Sequence, residues 1–211
     1  MRRRQQATDE RGFTIVELMI ATAVLSTILV VVTIVMISIG NLYYKGITQA
    51  RIQDGVRSIA DQVSQNLELS DGPVPDGGTN PAVPRAYCIG TTRYTYIENI
   101  QIGTSYPHVL WRDTIAGNGG TCAPAQLSQA QPNSVTQPGT NGVELIPPSS
   151  RLTDFTIGTT SPYSVSIGAA YGANGLLSGT GLGTTCQGNV GDQFCATAAL
   201  KTLVVQRLSN S

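Results

Sequence analysis

The sequence predicts an α+β protein: a long N-terminal helix, membrane-spanning in its first half and amphipathic in its second, packed on an antiparallel β-sheet. Three observations carry this. Residues 18–39 are 22 consecutive positions without a charge. Behind them, Ile52, Val56, Ile59, Val63 and Leu67 recur at spacings of four, three, four and four, a helical stripe. Beyond Ser70 the chain turns to short alternating segments between Gly-, Pro-, Ser- and Asn-rich stretches, the pattern of loop-heavy β structure.

In order, the chain divides into a basic leader (1–12), an apolar helix (13–40), its amphipathic continuation (41–70) and a β-rich domain (71–211). About 20 apolar residues span a bilayer core as a helix, so the apolar block is long enough. Its Ser26, Thr27, Thr33 and Ser38 can bond back to carbonyls one turn earlier. Arg2, Arg3, Arg4 and Arg11 place the N-terminal side in the cytoplasm and the rest of the chain outside. A cleaved secretory signal fits poorly, because the small-residue triplet Ala21-Thr22-Ala23 lies inside the apolar run. A plain signal anchor fits the length but not Glu17, a carboxylate one turn into the segment. A charge at mid-bilayer costs roughly 2.5–3.5 kcal/mol on insertion scales and ordinarily has a partner. Cleavage after Gly12 supplies one: Phe13 would gain an α-amine of pKa about 7.7–8.0, four residues from Glu17 on one helix face. Glycine before the cut lets a protease approach the backbone closely.

The run Gly12-Phe13-Thr14-Ile15-Val16-Glu17-Leu18-Met19-Ile20 closely resembles the cleavage and methylation motif of type IV prepilins and type II secretion pseudopilins. The resemblance implies a pilin-like fold, cutting between Gly12 and Phe13 by a prepilin peptidase, and N-methylation of Phe13. It also implies that Glu17 pairs with the N-terminal amine of a neighbouring subunit during assembly. Partners would be other pilin subunits, the peptidase, an assembly platform and, before assembly, membrane lipid. Many major pilins carry Gly and Pro within the apolar segment. Here Ser26 and Ile34 stand there, and no Pro precedes Pro73, so the helix has no proline kink. That favours a minor pilin or pseudopilin over a major pilin. The likeness is close over residues 1–69. Further on, Tyr-Cys-Ile-Gly-Thr-Thr-Arg-Tyr at 87–94, His-Val-Leu-Trp-Arg-Asp at 108–113 and Gln-Phe-Cys-Ala at 193–196 are similar to segments of some bacterial pilin-like proteins.

The amphipathic stripe predicts a helix continuing to about Leu69, with Gly46 and Gly55 each costing about 1 kcal/mol relative to Ala. The run 70–78, with two Pro and three Gly, ends it. Strands are expected at 87–92, 93–102, 108–114, 142–146, 151–157, 163–171 and near 200–208, giving one sheet of four to six strands. Long polar loops are expected at 116–140 and 172–192. Cys88, Cys122, Cys186 and Cys195 all follow the apolar block, where an oxidising compartment favours disulfides. Three pairings are possible; the short loop Cys186–Cys195 is favoured, leaving Cys88–Cys122, with four reduced core thiols as the alternative. No CxxC pair suggests zinc.

No catalytic constellation, cofactor or metal site emerges, and the chain is not expected to be an enzyme. His108 is the only histidine and reads as structural; Trp111 reads as core. The glycine-rich stretch 172–183 lacks the Gly-Lys-Ser/Thr ending of a phosphate loop and reads as flexible. Asp71 and Asp76 fall short of the oxygens calcium takes. With 12% charged residues and no net charge, no nucleic-acid surface is evident. The expected function is structural: a minor pilin-like subunit of a type IV pilus or related cell-surface filament. The alternatives are a pseudopilin of a type II secretion or DNA-uptake machine, and an uncleaved membrane-anchored binding protein or adhesin.

Overall fold

A computed structural model describes residues 12–116, 122–134, 136–188 and 191–207. The rest of the leader, 1–11, lies outside them. The chain separates into two compact units, Met1–Tyr43 and Tyr44–Ser211, and helix α1 (Ile15–Glu68) contributes to both.

In the first unit, α1 is long and apolar enough to cross a membrane. Its apolar side chains lie exposed, Leu25 at 57% and Met36 at 70% among them. The hydroxyls within it bond back along the helix, Thr27 Oγ1 to Val24 O at 2.8 Å and Thr33 Oγ1 to Leu29 O at 2.8 Å. The hydroxyl donors of this stretch are therefore satisfied within the helix.

In the second unit, the predicted stripe is the buried face of α1: Ile52, Val56, Ile59, Val63 and Leu67, joined by Ala60. The strands are all antiparallel. β1 (Pro73–Pro75), β2 (Arg85–Ile89), β3 (Thr92–Tyr96), β4 (Leu110–Ile115) and β5 (Gly139–Glu144) form a five-stranded sheet in sequence order. β6 (Ser150–Ile157), β7 (Tyr163–Tyr171) and β10 (Ala196–Val204) form a second, in the order β10-β7-β6. β8 (Leu177–Ser178) and β9 (Thr185–Cys186) make a ribbon. The α+β arrangement is as expected, but there are two principal sheets where one was anticipated.

Several boundaries differ for identifiable reasons. Gly90 (φ +58) opens a two-residue turn that pairs Ile89 with Thr92, so the first hairpin folds three residues earlier than the expected break. β3 ends at Tyr96, and Asn99, at φ +60, turns the chain short of the expected end at 102. β10 begins at Ala196, four residues early, and pairs with β7 along all nine residues. Its expected end at 208 lies outside the described residues. β1 contains two prolines, which an edge strand tolerates because its outer N–H needs no partner.

The core lies between the helix stripe and the inner faces of both sheets. Phe155 joins them, meeting the Tyr96 ring edge-on at 5.0 Å while Tyr87 stacks on Tyr96 at 5.6 Å. The C-terminal end of α1 is closed by the chain that follows β10: Arg207 N donates to Glu68 O at 3.0 Å and Gln206 Nε2 to Ser70 O at 2.7 Å. Gly72 (φ +98) turns the chain away where a Cβ would come 2.6 Å from Tyr163 Oη, so only glycine fits.

Candidate functional site

The start of α1 is built from three residues. Gly12, Phe13 and Thr14 precede the first helical residue, and Phe13 is 86% exposed. A Cβ at Gly12 would meet nothing within 4 Å, so the fold itself does not require glycine there. Thr14 caps the helix: its Oγ1 accepts from Glu17 N at 3.2 Å. Glu17 reaches back, its Oε2 accepting from Thr14 N at 2.9 Å and from Thr14 Oγ1 at 2.9 Å. This is a capping box, which satisfies two otherwise orphaned donors reciprocally. The Thr-x-x-Glu spacing at Thr14 and Glu17 is the sequence signal of this cap, which the reading of Glu17 as a partner for the Phe13 amine does not use. In the intact chain residue 13 has a peptide nitrogen, so the amine expected to face Glu17 exists only after cleavage.

The second unit stabilises two long connections in the same manner, each with a disulfide and a buried arginine. Cys88–Cys122 and Cys186–Cys195 are bonded, the pairs favoured from spacing, and the described residues contain no free cysteine. In the first connection, fully buried Arg93 forks onto Asp113, with Nε to Oδ1 at 2.9 Å and Nη2 to Oδ2. Its Nη1 donates to Ala123 O at 3.0 Å and Gln137 O at 2.5 Å, fixing both ends of the segment between β4 and β5. In the second, Arg151 (5% exposed) donates to Gly172 O at 2.8 Å and to Asn174 Oδ1. The stretch 172–183, expected as a flexible loop, carries β8 and two short 3-10 turns instead.

His108 is held on all sides. Its ring meets Trp111 edge-on at 4.3 Å, and Nε2 lies 3.3 Å from Ala130 O. Nδ1 lies 3.4 Å from Glu144 Oε2, within ion-pair range but off hydrogen-bond alignment. Glu144 itself accepts from the backbone N–H of Val109 (3.0 Å), Leu110 (3.1 Å) and Ile146 (3.2 Å). Burial pushes its carboxyl up to about 7 despite these bonds. The chemistry of this cluster is used to bind β4, β5 and the segment between them. Asp76 is spent on Gly78 N and Ala86 N. Among the described residues no three His, Cys, Asp or Glu side chains are grouped to hold a metal ion.

Compared with protein-family models, curated proteins and solved structures, the chain finds no match.

Proposed function

We propose that this chain is a structural subunit of a surface filament, a minor pilin-like protein anchored by the apolar half of α1 and assembled through it after removal of residues 1–12. The observation that carries the reading is the head of α1: an apolar helical surface, left uncovered, with Glu17 as its only charge over residues 13–39. A surface of that kind requires lipid or other helices around it. Leucine-, valine- and isoleucine-rich faces are equally content in either, so transfer from bilayer to a bundle of copies costs little. Glu17 then supplies what apolar packing lacks, a fixed axial position. Its charge finds full neutralisation where a neighbouring Phe13 amine lies beside it.

Gly12 supports the same reading. The fold leaves room for a side chain there, so the glycine answers a requirement from outside the chain, such as a peptidase cleft. A pseudopilin of a secretion or DNA-uptake machine would use the same steps. The reading from a different class, an uncleaved anchored binding protein, is favoured by the capping box, since Thr14 already occupies the Glu17 carboxylate. Intact-mass measurement of the membrane protein, from cells that contain a prepilin peptidase, separates them. Maturation predicts loss of residues 1–12 with one added methyl group, and Gly12→Val should retain the leader. A wild-type mass that keeps residues 1–12 contradicts the filament reading and leaves the anchored protein.

A further inference from the structure

The second unit carries a groove of about 380 Å³ between β5 and the segment that precedes it. We infer that it is a binding site for a neutral saccharide. The volume falls within the range of about 300–1,000 Å³ typical of small-molecule sites. Its walls are Gln131, Asn133, Thr140 and Asn141, with Gly142 and Trp111 completing the floor. None of these is charged. The two grooves that flank α1 each include an arginine, Arg51 in one and Arg57 in the other. The groove beside β5 is therefore not shaped for an anion or a cation.

Part of its hydrogen-bonding capacity is unspent. The side chains of Gln131 and Asn141 make no hydrogen bond among the described residues. Asn133 uses only its Oδ1, accepting from Ser134 N at 2.8 Å and Gly139 N at 3.0 Å, which leaves its amide N–H groups open. Three exposed residues with side-chain amides, Gln131, Asn133 and Asn141, thus border one space, and an amide offers both donors and an acceptor. Hydroxyl groups on adjacent ring carbons, which donate and accept at once, match such a set. The indole takes the space a side chain at Gly142 would need, since a Cβ there would fall 2.2 Å from Nε1. An aromatic edge therefore finishes the floor, and its buried N–H has no acceptor.

The walls are also fixed in advance. Asn133 O accepts from Gln126 N at 3.1 Å, Thr140 Oγ1 donates to Thr114 O at 3.2 Å, and Arg93 holds Gln137 O. The Cys88–Cys122 bond ties down the far end of the same segment. The backbone that carries the walls is held in this way, so the loop itself loses little freedom on binding. This site goes beyond the filament proposal and does not depend on it.

Trp111 is the only tryptophan in the sequence, so its indole N–H gives a single nitrogen-15 resonance that reports on the groove. The test uses the full chain in micelles of a detergent without a sugar headgroup. The probes are methyl glycosides of glucose, galactose, mannose and N-acetylglucosamine, with N-acetylneuraminic acid as the charged control. The expected result is saturation transfer to at least one neutral glycoside, with a dose-dependent shift of the indole resonance and no response to the acid. Gln131→Ala with Asn141→Ala, both surface changes, should weaken that binding about tenfold while leaving the unliganded indole resonance in place. No transfer to any neutral glycoside, or transfer unchanged in the double variant, overturns the assignment. A shift produced by the neutral peptide Gly-Ser-Gly-Ser and not by the glycosides also overturns it, and gives the groove to polypeptide.

Discussion

Glu144 and Arg93 are the residues on which the second unit spends most of its polar chemistry. Arg93 is buried with every nitrogen engaged, two on Asp113 and one on two loop carbonyls, so its desolvation is offset by a complete set of charge-assisted bonds. Glu144 is different, because desolvation outweighs the bonds it accepts. Its carboxyl moves from an ordinary 4.5 to about 7. Between those values the folded chain holds a proton that the unfolded chain has released. The stabilisation is therefore complete below pH 4.5 and is lost as pH rises through about 7. Chemical denaturation of the wild-type protein should show stability falling by on the order of 2–3 kcal/mol across that interval. Glu144→Gln should flatten the curve. A wild-type protein more stable at pH 7.5 than at pH 4.5, with the variant following the same trend, would show that other carboxylates dominate. Neither residue was legible beforehand, since a lone Arg or Glu within a strand gives no sign of burial until its cross-strand neighbours are known.

At the scale of elements, the helix was the most legible part. A stripe of five apolar residues gave its buried face, and the structure adds only Ala60. The sheets were less so. The division into two sheets depends on pairings between distant segments, and Ala-Thr-Ala-Ala at 196–199 carries a single β-branched residue among three alanines, a weak strand signal. It is β-structure because β7 offers it a complete ladder. Helix continuity is likewise imposed by packing at Gly55, where the local preference is against it. A Cβ there would lie 3.5 Å from Pro147 Cδ, an ordinary contact, so the position has room. Gly55→Ala should accordingly raise stability by about 1 kcal/mol. Equilibrium denaturation of the micelle-embedded chain measures it. A loss of stability would mean that Pro147 and the helix pack more tightly than this distance implies.

At the scale of the whole molecule, one unit has a finished core and the other has none. The second unit buries its apolar stripe, closes its helix end and bonds its four cysteines. The first leaves its apolar side chains outward along a helix long and apolar enough to cross a membrane. The apolar span and the carboxylate at its head are legible in the residues themselves, while the bond from Thr14 N to Glu17 Oε2 follows from the helix geometry. That bond sharpens the choice between the two readings. In an uncleaved anchor Glu17 serves its own helix, and in a filament subunit it must turn to a neighbour's amine.

Glu17→Gln tests this most directly, because glutamine can still accept from Thr14 and keep the cap while losing the charge. The measurement is the amount of the variant in sheared surface filaments relative to the amount in the membrane, compared with wild type, with intact mass verifying removal of residues 1–12. The filament account predicts normal insertion and normal cleavage, with incorporation reduced to a small fraction of the wild-type ratio. Incorporation at the wild-type ratio would contradict it, leaving Glu17 a helix cap and not an assembly contact.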